Sequence, residues 1–193
     1  MARPLEFNPE EAIGQAMEVF WAKGYDATSL SDLLAATSLS KSSFYQSFGS
    51  KHKLYERCLQ HYRQSISNKL LNDLHKAPSA RTFIEQLFDS IAEEVSQQKG
   101  RWGCMIMNSA SAKAPFDLKV GKIVNDGARQ FEKIFSRAVK RAQEEGGIPK
   151  DKKAEALASY LVSSRSGLLA MARAGASKSE LKKISNMILT VLD

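Results

Sequence analysis

The chain has 193 residues, 43% of them hydrophobic and 25% charged, with a formal net charge of +7. That length suits one domain with a smaller partner, and the apolar fraction is enough for a real core. The longest apolar run, Trp102–Met107, falls far short of the roughly 18 residues of a membrane span. Arg3 is followed by two prolines and three acidic residues before any apolar stretch, which is not the pattern of a secretory signal.

Two cysteines, Cys58 and Cys104, make no disulfide framework and point to a reducing, cytoplasmic setting. Charge is unevenly spread: residues 1–35 carry a net −4 and residues 36–63 a net +4. Clustered cations on one surface are what phosphate binding requires. A second basic stretch, 118–153, distributes its charges around a long helix and reads as a solvated face.

Val, Ile and Thr together number only 21, too few for a substantial sheet. Apolar residues instead recur at helical spacing, and prolines and glycines fall where each pattern stops. In chain order, Asn8-Pro9-Glu10-Glu11 starts a first helix that buries Ile13, Met17 and Phe20 and ends at Gly24. A short second helix runs from Thr28 or Ser29 to Thr37, and a third from Ser40 to Phe48. Ser50 caps a long fourth helix reaching Lys76 before Pro78. The fifth spans Ala80–Gln98, the sixth Cys104–Lys113, the seventh Phe116–Glu145 and the eighth Asp151–Ala174. The ninth begins near Ser177 and carries Leu181, Ile184, Ile188 and Val191 on one stripe. The expected fold is all-α: nine helices, with a three-helix N-terminal domain over 1–50 and a helical C-terminal domain over 51–193.

The second and third helices are too short to stand alone in water, so neighbours must hold them. Two short helices joined by Thr37-Ser38-Leu39, with a packing helix before them, make a helix-turn-helix. On the third helix Phe44 and Phe48 share one face, directed at the core. Ser42 and Gln46 fall opposite, flanked by Ser43 and Tyr45, a small polar face able to enter a major groove. A glutamine there can contact adenine bidentately. Lys41 starts that helix and Lys51 the next, so Thr28, Tyr45 and Lys51 are expected to grip phosphate. Arg3 is a candidate minor-groove arm, but a free tail is the preferred account.

Residues 9–60 resemble the DNA-binding domain of the TetR/AcrR family of transcriptional regulators. The resemblance rests on Phe20, Gly24-Tyr25, Thr28-Ser29-Leu30, Asp32-Leu33, the run Leu39 to Tyr45, Phe48, and Ser50-Lys51-His52-Lys53-Leu54-Tyr55. Ser38 and Ser42 stand where the family often has glycine, which bears on turn geometry and on the choice of operator. The resemblance implies a homodimeric repressor, released from a near-palindromic operator by a small inducer. It also implies a ligand chamber within the fourth to seventh helices and dimerisation through the last two.

The residues of the eighth and ninth helices agree: Leu157, Leu161 and Leu168 mix with Ser163, Ser164, Gly167 and Ala170, before a long apolar stripe. Two such helices from each subunit would place recognition helices about 34–36 Å apart, one turn of DNA. Phe83, Phe88, Trp102, Met105, Met107, Phe116, Phe131 and Phe135 are candidates for an apolar chamber, though such a set also serves as plain core. Cys104 is a candidate pocket residue and a candidate thiol sensor. It stands at a helix start near Lys99 and Arg101, conditions that lower a thiol pKa. The Gly103-Cys104 pair also resembles a subgroup of the family in which cysteines answer to electrophiles or oxidants. Burial as a small apolar residue is the alternative.

No cofactor is expected, and no metal. Cys58 and His61 supply half a site, and Cys104, Met105 and Met107 diverge on a helix. Ser38-Leu39-Ser40-Lys41 and Ser179-Glu180-Leu181-Lys182 formally match an acyl-serine string, but no supporting catalytic motif accompanies them. An all-α enzyme is thus the weaker rival. A DNA-binding protein whose C-terminal helices take a protein partner is the nearer one.

Overall fold

The computed structural model describes residues 8–193; Arg3 lies outside them. Among the described residues the chain forms nine α-helices and three short 3₁₀ turns, with no strand. The helices are α1 (Pro9–Lys23), α2 (Leu30–Thr37), α3 (Lys41–Phe48), α4 (Lys51–Lys76), α5 (Ala80–Glu94), α6 (Met105–Ala112), α7 (Leu118–Glu144), α8 (Ala154–Ala174) and α9 (Lys178–Leu189).

Side-chain caps fix most of the starts. The carboxamide of Asn8 accepts from the amide of Glu10, with Pro9 in the first turn. Ser29 and Asp32 form a reciprocal capping box on α2, as Ser177 and Glu180 do on α9. Ser40, Ser50 and Ser79 cap α3, α4 and α5. Each cap is worth about 1 kcal/mol, a large share for helices of eight residues.

Several expected boundaries shift, each for a local reason. α5 stops at Glu94 instead of Gln98, and the chain tightens into a 3₁₀ turn at Lys99–Arg101. Gly100 permits that turn: a Cβ there would lie 1.9 Å from the carbonyl oxygen of Glu94. α6 begins at Met105, with Cys104 in extended conformation at the cap, and closes at Ala112, before Lys113. α7 begins at Leu118 instead of Phe116, because Asp117 accepts the amides of Lys119 and Val120, and Phe116 sits in a preceding 3₁₀ turn. α8 begins at Ala154, after a turn through Asp151 and Lys152.

One continuous core runs through both regions. α1 packs on α2 and α4, and α4 continues against α6 and α7. α7 lies along α8, and α9 closes on α5 and α8. The strongly two-faced α7 buries Val120, Ile123, Val124, Phe131, Ile134 and Phe135, while Lys119, Lys122, Arg129, Lys133 and Lys140 stay exposed. Trp21 ties α1 to the start of α6: its indole N–H donates to the Gly103 carbonyl at 2.9 Å, and its ring meets Trp102 edge-on at 5.3 Å.

Candidate nucleic-acid interface

The turn between α2 and α3 is made by Ser38, in the left-handed region at φ 54°, ψ 24°. It is the one non-glycine residue with positive φ among those described. Left-handed backbone puts an L side chain close to its own carbonyl, which is why glycine is easier there. Leu39 is half-buried against the core and anchors the turn. Ser40 then caps α3 by accepting the amide of Ser43, and Gly49, at φ 73°, ends it by donating to the Tyr45 carbonyl.

α3 divides as its spacing requires. Phe44 and Phe48 are buried, their rings meeting edge-on at 5.6 Å. Full burial of one such ring contributes about 1.5–3 kcal/mol, ample to seat an eight-residue helix. Lys41, Ser42, Tyr45 and Gln46 point outward; Tyr45 is 46% exposed and Ser43 half-buried. The Tyr45 ring leans edge-on against Phe44 at 5.5 Å, so the core limits the orientations of an exposed phenol.

The N-terminus of α4 lies next to this face, capped by Ser50. Lys51 holds its ammonium 4.4 Å from the centre of the Tyr25 ring. Arg57, which the sequence reading did not single out, reaches back from α4 to α3. It donates to the Ser47 carbonyl at 3.4 Å and lies 5.7 Å from the Phe48 ring centre. Its position nine residues after Phe48 matches no motif, so only the packing of α3 on α4 exposes the contact.

Thr28 is placed otherwise than expected. It is 1% exposed, and its hydroxyl donates to the Gly24 carbonyl at 2.6 Å. The side chain therefore closes the α1–α2 turn and has no open path to a phosphate. α1 and α2 are locked together beside it by Lys23 and Asp32 at 2.7 Å. The Lys23 hydrogen bond, reinforced by the amide and hydroxyl of Ser29, holds the Asp32 carboxyl down at about 2.

The six candidate pocket residues do not converge on one chamber. Phe83 borders a hollow at the α4–α5 turn, Trp102 another beside Val19 and Asp32, and Met105 a third between α1 and α6. Phe131 is buried in the core and Met107 is half-buried. Of the further aromatic candidates, Phe88 and Phe135 are core, while Phe116 is 84% exposed, standing in its 3₁₀ turn outside the packed helices.

Cys104 is buried at the α6 cap. Lys99, one of the cations near it in sequence, pairs instead with Glu18 at 2.5 Å. The hydroxyl of Tyr62 faces this thiol; burial first, then the proximity of Cys104, pushes the Tyr62 phenol well up, opposed by Arg165. Cys58 is buried in the core beneath α1, and burial drives its thiol up. Among the described residues no three His, Cys, Asp or Glu side chains are placed to hold a metal ion, and no helix is long and apolar enough to cross a membrane.

Comparison with known proteins agrees with this geometry. Residues 12–58 match the family model described as bacterial regulatory proteins, tetR family. The chain is 28% identical over 194 residues to the HTH-type transcriptional regulator YezE of Bacillus subtilis, covering 100% of both. It is 27% identical to the HTH-type transcriptional repressor ComR of Escherichia coli, covering 97% of this chain and 90% of that one. A solved structure of the regulator CifR, cysteine-substituted and in complex with a 26-base-pair operator, superposes with a TM-score of 0.86 at 25% identity, covering 100% of each chain. The reduced form of E. coli NemR shares the fold, with a TM-score of 0.85 at 18% identity over 95% of this chain and 96% of that one.

Proposed function

This chain belongs to the TetR family of bacterial regulatory proteins, and on that premise we propose that it is a homodimeric repressor reading a near-palindromic operator through α3. The observation that carries the reading is the division of α3. Phe44 and Phe48 are consumed by the core, while Lys41, Ser42, Tyr45 and Gln46 stand exposed beside the cationic start of α4. Gln46 and Ser42 face the bases, with Ser43 at the edge. Lys41, Tyr45 and Lys51 hold phosphate, aided by the free amides at the start of α4. Thr28 contributes by shaping the turn that presents α2.

Residues 1–50 act as the DNA-binding unit and 51–193 as the sensing and dimerisation unit, with α4 running from one into the other. Dimerisation through α8 and α9 is supported by apolar side chains left exposed there: Tyr160, Met171 and Met187. Pairing sets the spacing of the two α3 helices, so an inducer that prefers another spacing lowers operator affinity by that preference. A pull-down of genomic fragments with purified protein, at stated salt, tests the reading. A near-palindromic site enriched by the wild type and lost with Tyr45→Ala is the expected result.

Modification of Cys104 is a second route to release, favoured by its place at the start of α6 against Tyr62. A bulky adduct on this buried thiol has to displace α6 or α4. N-ethylmaleimide is expected to release operator from the wild type and leave Cys104→Ser bound; equal release of both proteins would sink this route.

A further inference from the structure

A cavity of about 360 Å³ lies where the helix-turn-helix region meets the rest of the chain. It is bounded by the end of α1 and the turn after it, by α4, by α6 and by the last turn of α8. Its volume is within the range that holds small molecules. The buried part of the lining is aromatic and apolar, from Phe20, Tyr55 and Met105, with a single polar pair in which the hydroxyls of Tyr55 and Ser109 meet at 2.6 Å. Trp21 and Tyr25 extend the aromatic surface outward.

The charged side chains on the lining are Lys113, Arg173 and Asp26. Arg173 spends its guanidinium on two backbone carbonyls, Trp102 at 2.7 Å and Trp21 at 3.2 Å, and has no carboxylate partner among the described residues. Lys113 rests on the Tyr25 ring and has one carboxylate within ion-pair reach, Asp26 at 3.9 Å, with Asp117 further off in its field. The lining thus sets Lys113 and the carbonyl-bound Arg173 against one well-exposed acid, beside an aromatic surface. A carboxylate meets the cations and a planar ring fills the aromatic part.

We infer that this seam is the inducer site and that it takes a small aromatic carboxylate. The inference rests on the reading of the chain as a ligand-released operator binder. Its position supplies the coupling. Lys113 sits 4.6 Å from the centre of the Tyr25 ring, and Lys51, at the DNA-facing start of α4, sits 4.4 Å from the same ring. An anion that draws Lys113 away changes the setting of Tyr25, and with it that of Lys51. Binding also wedges α1 against α6, across the Trp21–Gly103 hydrogen bond that joins the two regions.

Isothermal titration calorimetry of the whole protein with trans-cinnamate, and with uncharged cinnamamide, tests the site. One saturable event per chain is expected for cinnamate, with cinnamamide weaker by roughly tenfold or more. Lys113→Gln should weaken cinnamate by a similar factor and Lys113→Arg should restore it. Lys113 is chosen over Arg173, whose bonds to two backbone carbonyls hold α8 to the seam. Saturating cinnamate should raise the operator Kd roughly fivefold or more. Absence of a saturable event, equal binding of the amide, or unchanged binding by Lys113→Gln with its melting temperature intact would overturn the inference. Because the titration is read without DNA, a ligand-free protein that binds no operator contradicts the regulator reading alone.

Discussion

Lys51 and Tyr25, 26 positions apart, meet with the ammonium 4.4 Å from the ring centre. The contact fixes a flexible lysine at the turn of α4 proposed to meet DNA, so part of the entropy of holding it there is lost before binding. Tyr25→Leu removes the ring face and leaves an apolar side chain. Operator affinity should fall about two- to fivefold, the equivalent of an exposed cation–π contact. The loss should be uniform across sequences if Lys51 addresses phosphate as proposed. Fluorescence anisotropy on operator and on a shuffled duplex measures both.

Ser38 carries the left-handed turn without the freedom of glycine. Ser38→Gly relieves the Cβ clash, and the greater entropy of the unfolded chain takes back part of the gain. The net expectation is a stabilisation of roughly 0.5–1 kcal/mol, read by urea unfolding. Ser38→Val should move stability the other way, since a β-branched residue tolerates that region poorly.

Asp32 links α1 to α2 as a carboxylate, and its folded pKa of about 2 lies below its value of about 4 in an unfolded chain. Its stabilising effect is therefore complete above about pH 4 and disappears as the pH falls toward 2. Asp32→Asn keeps the shape and abolishes the charge. The melting temperatures of wild type and Asp32→Asn should differ at pH 7 and converge toward pH 2; a constant difference would remove the carboxylate from the account.

Met187 is 70% exposed on α9, a poor place for a large apolar side chain unless another surface covers it. Met187→Lys should leave the melting of the monomer unchanged and raise the dimer dissociation constant, seen as a slower boundary in sedimentation velocity. Operator affinity should fall with it, since one subunit reaches one half-site.

Much of this architecture is legible in the residues because it is local. Asn8, Ser29, Ser40, Ser50 and Ser177 announce helix starts by capping, and Phe44 with Phe48 orient α3 by spacing alone. What the sequence conceals is set by distant partners. Thr28 resembles a surface hydroxyl until the α1–α2 turn closes over it. The aromatic and methionine residues that suggest a chamber are distributed by the fold among three hollows, the core and, for Phe116, the surface, since helical spacing names a face but not its neighbour. The seam cavity joins Tyr25 to Lys113 and Trp21 to Arg173, separations no local pattern can encode.

In the proposed mode of binding, α3 reads bases through Gln46. Selection of binding sites from a random duplex library, with wild type and Gln46→Ala side by side, tests it most directly. A near-palindromic logo is expected for the wild type, and for Gln46→Ala the same logo with one position in each half-site relaxed, a loss of about 1–3 kcal/mol of discrimination there. Identical logos for the two proteins, or a wild type that enriches no site, would contradict it.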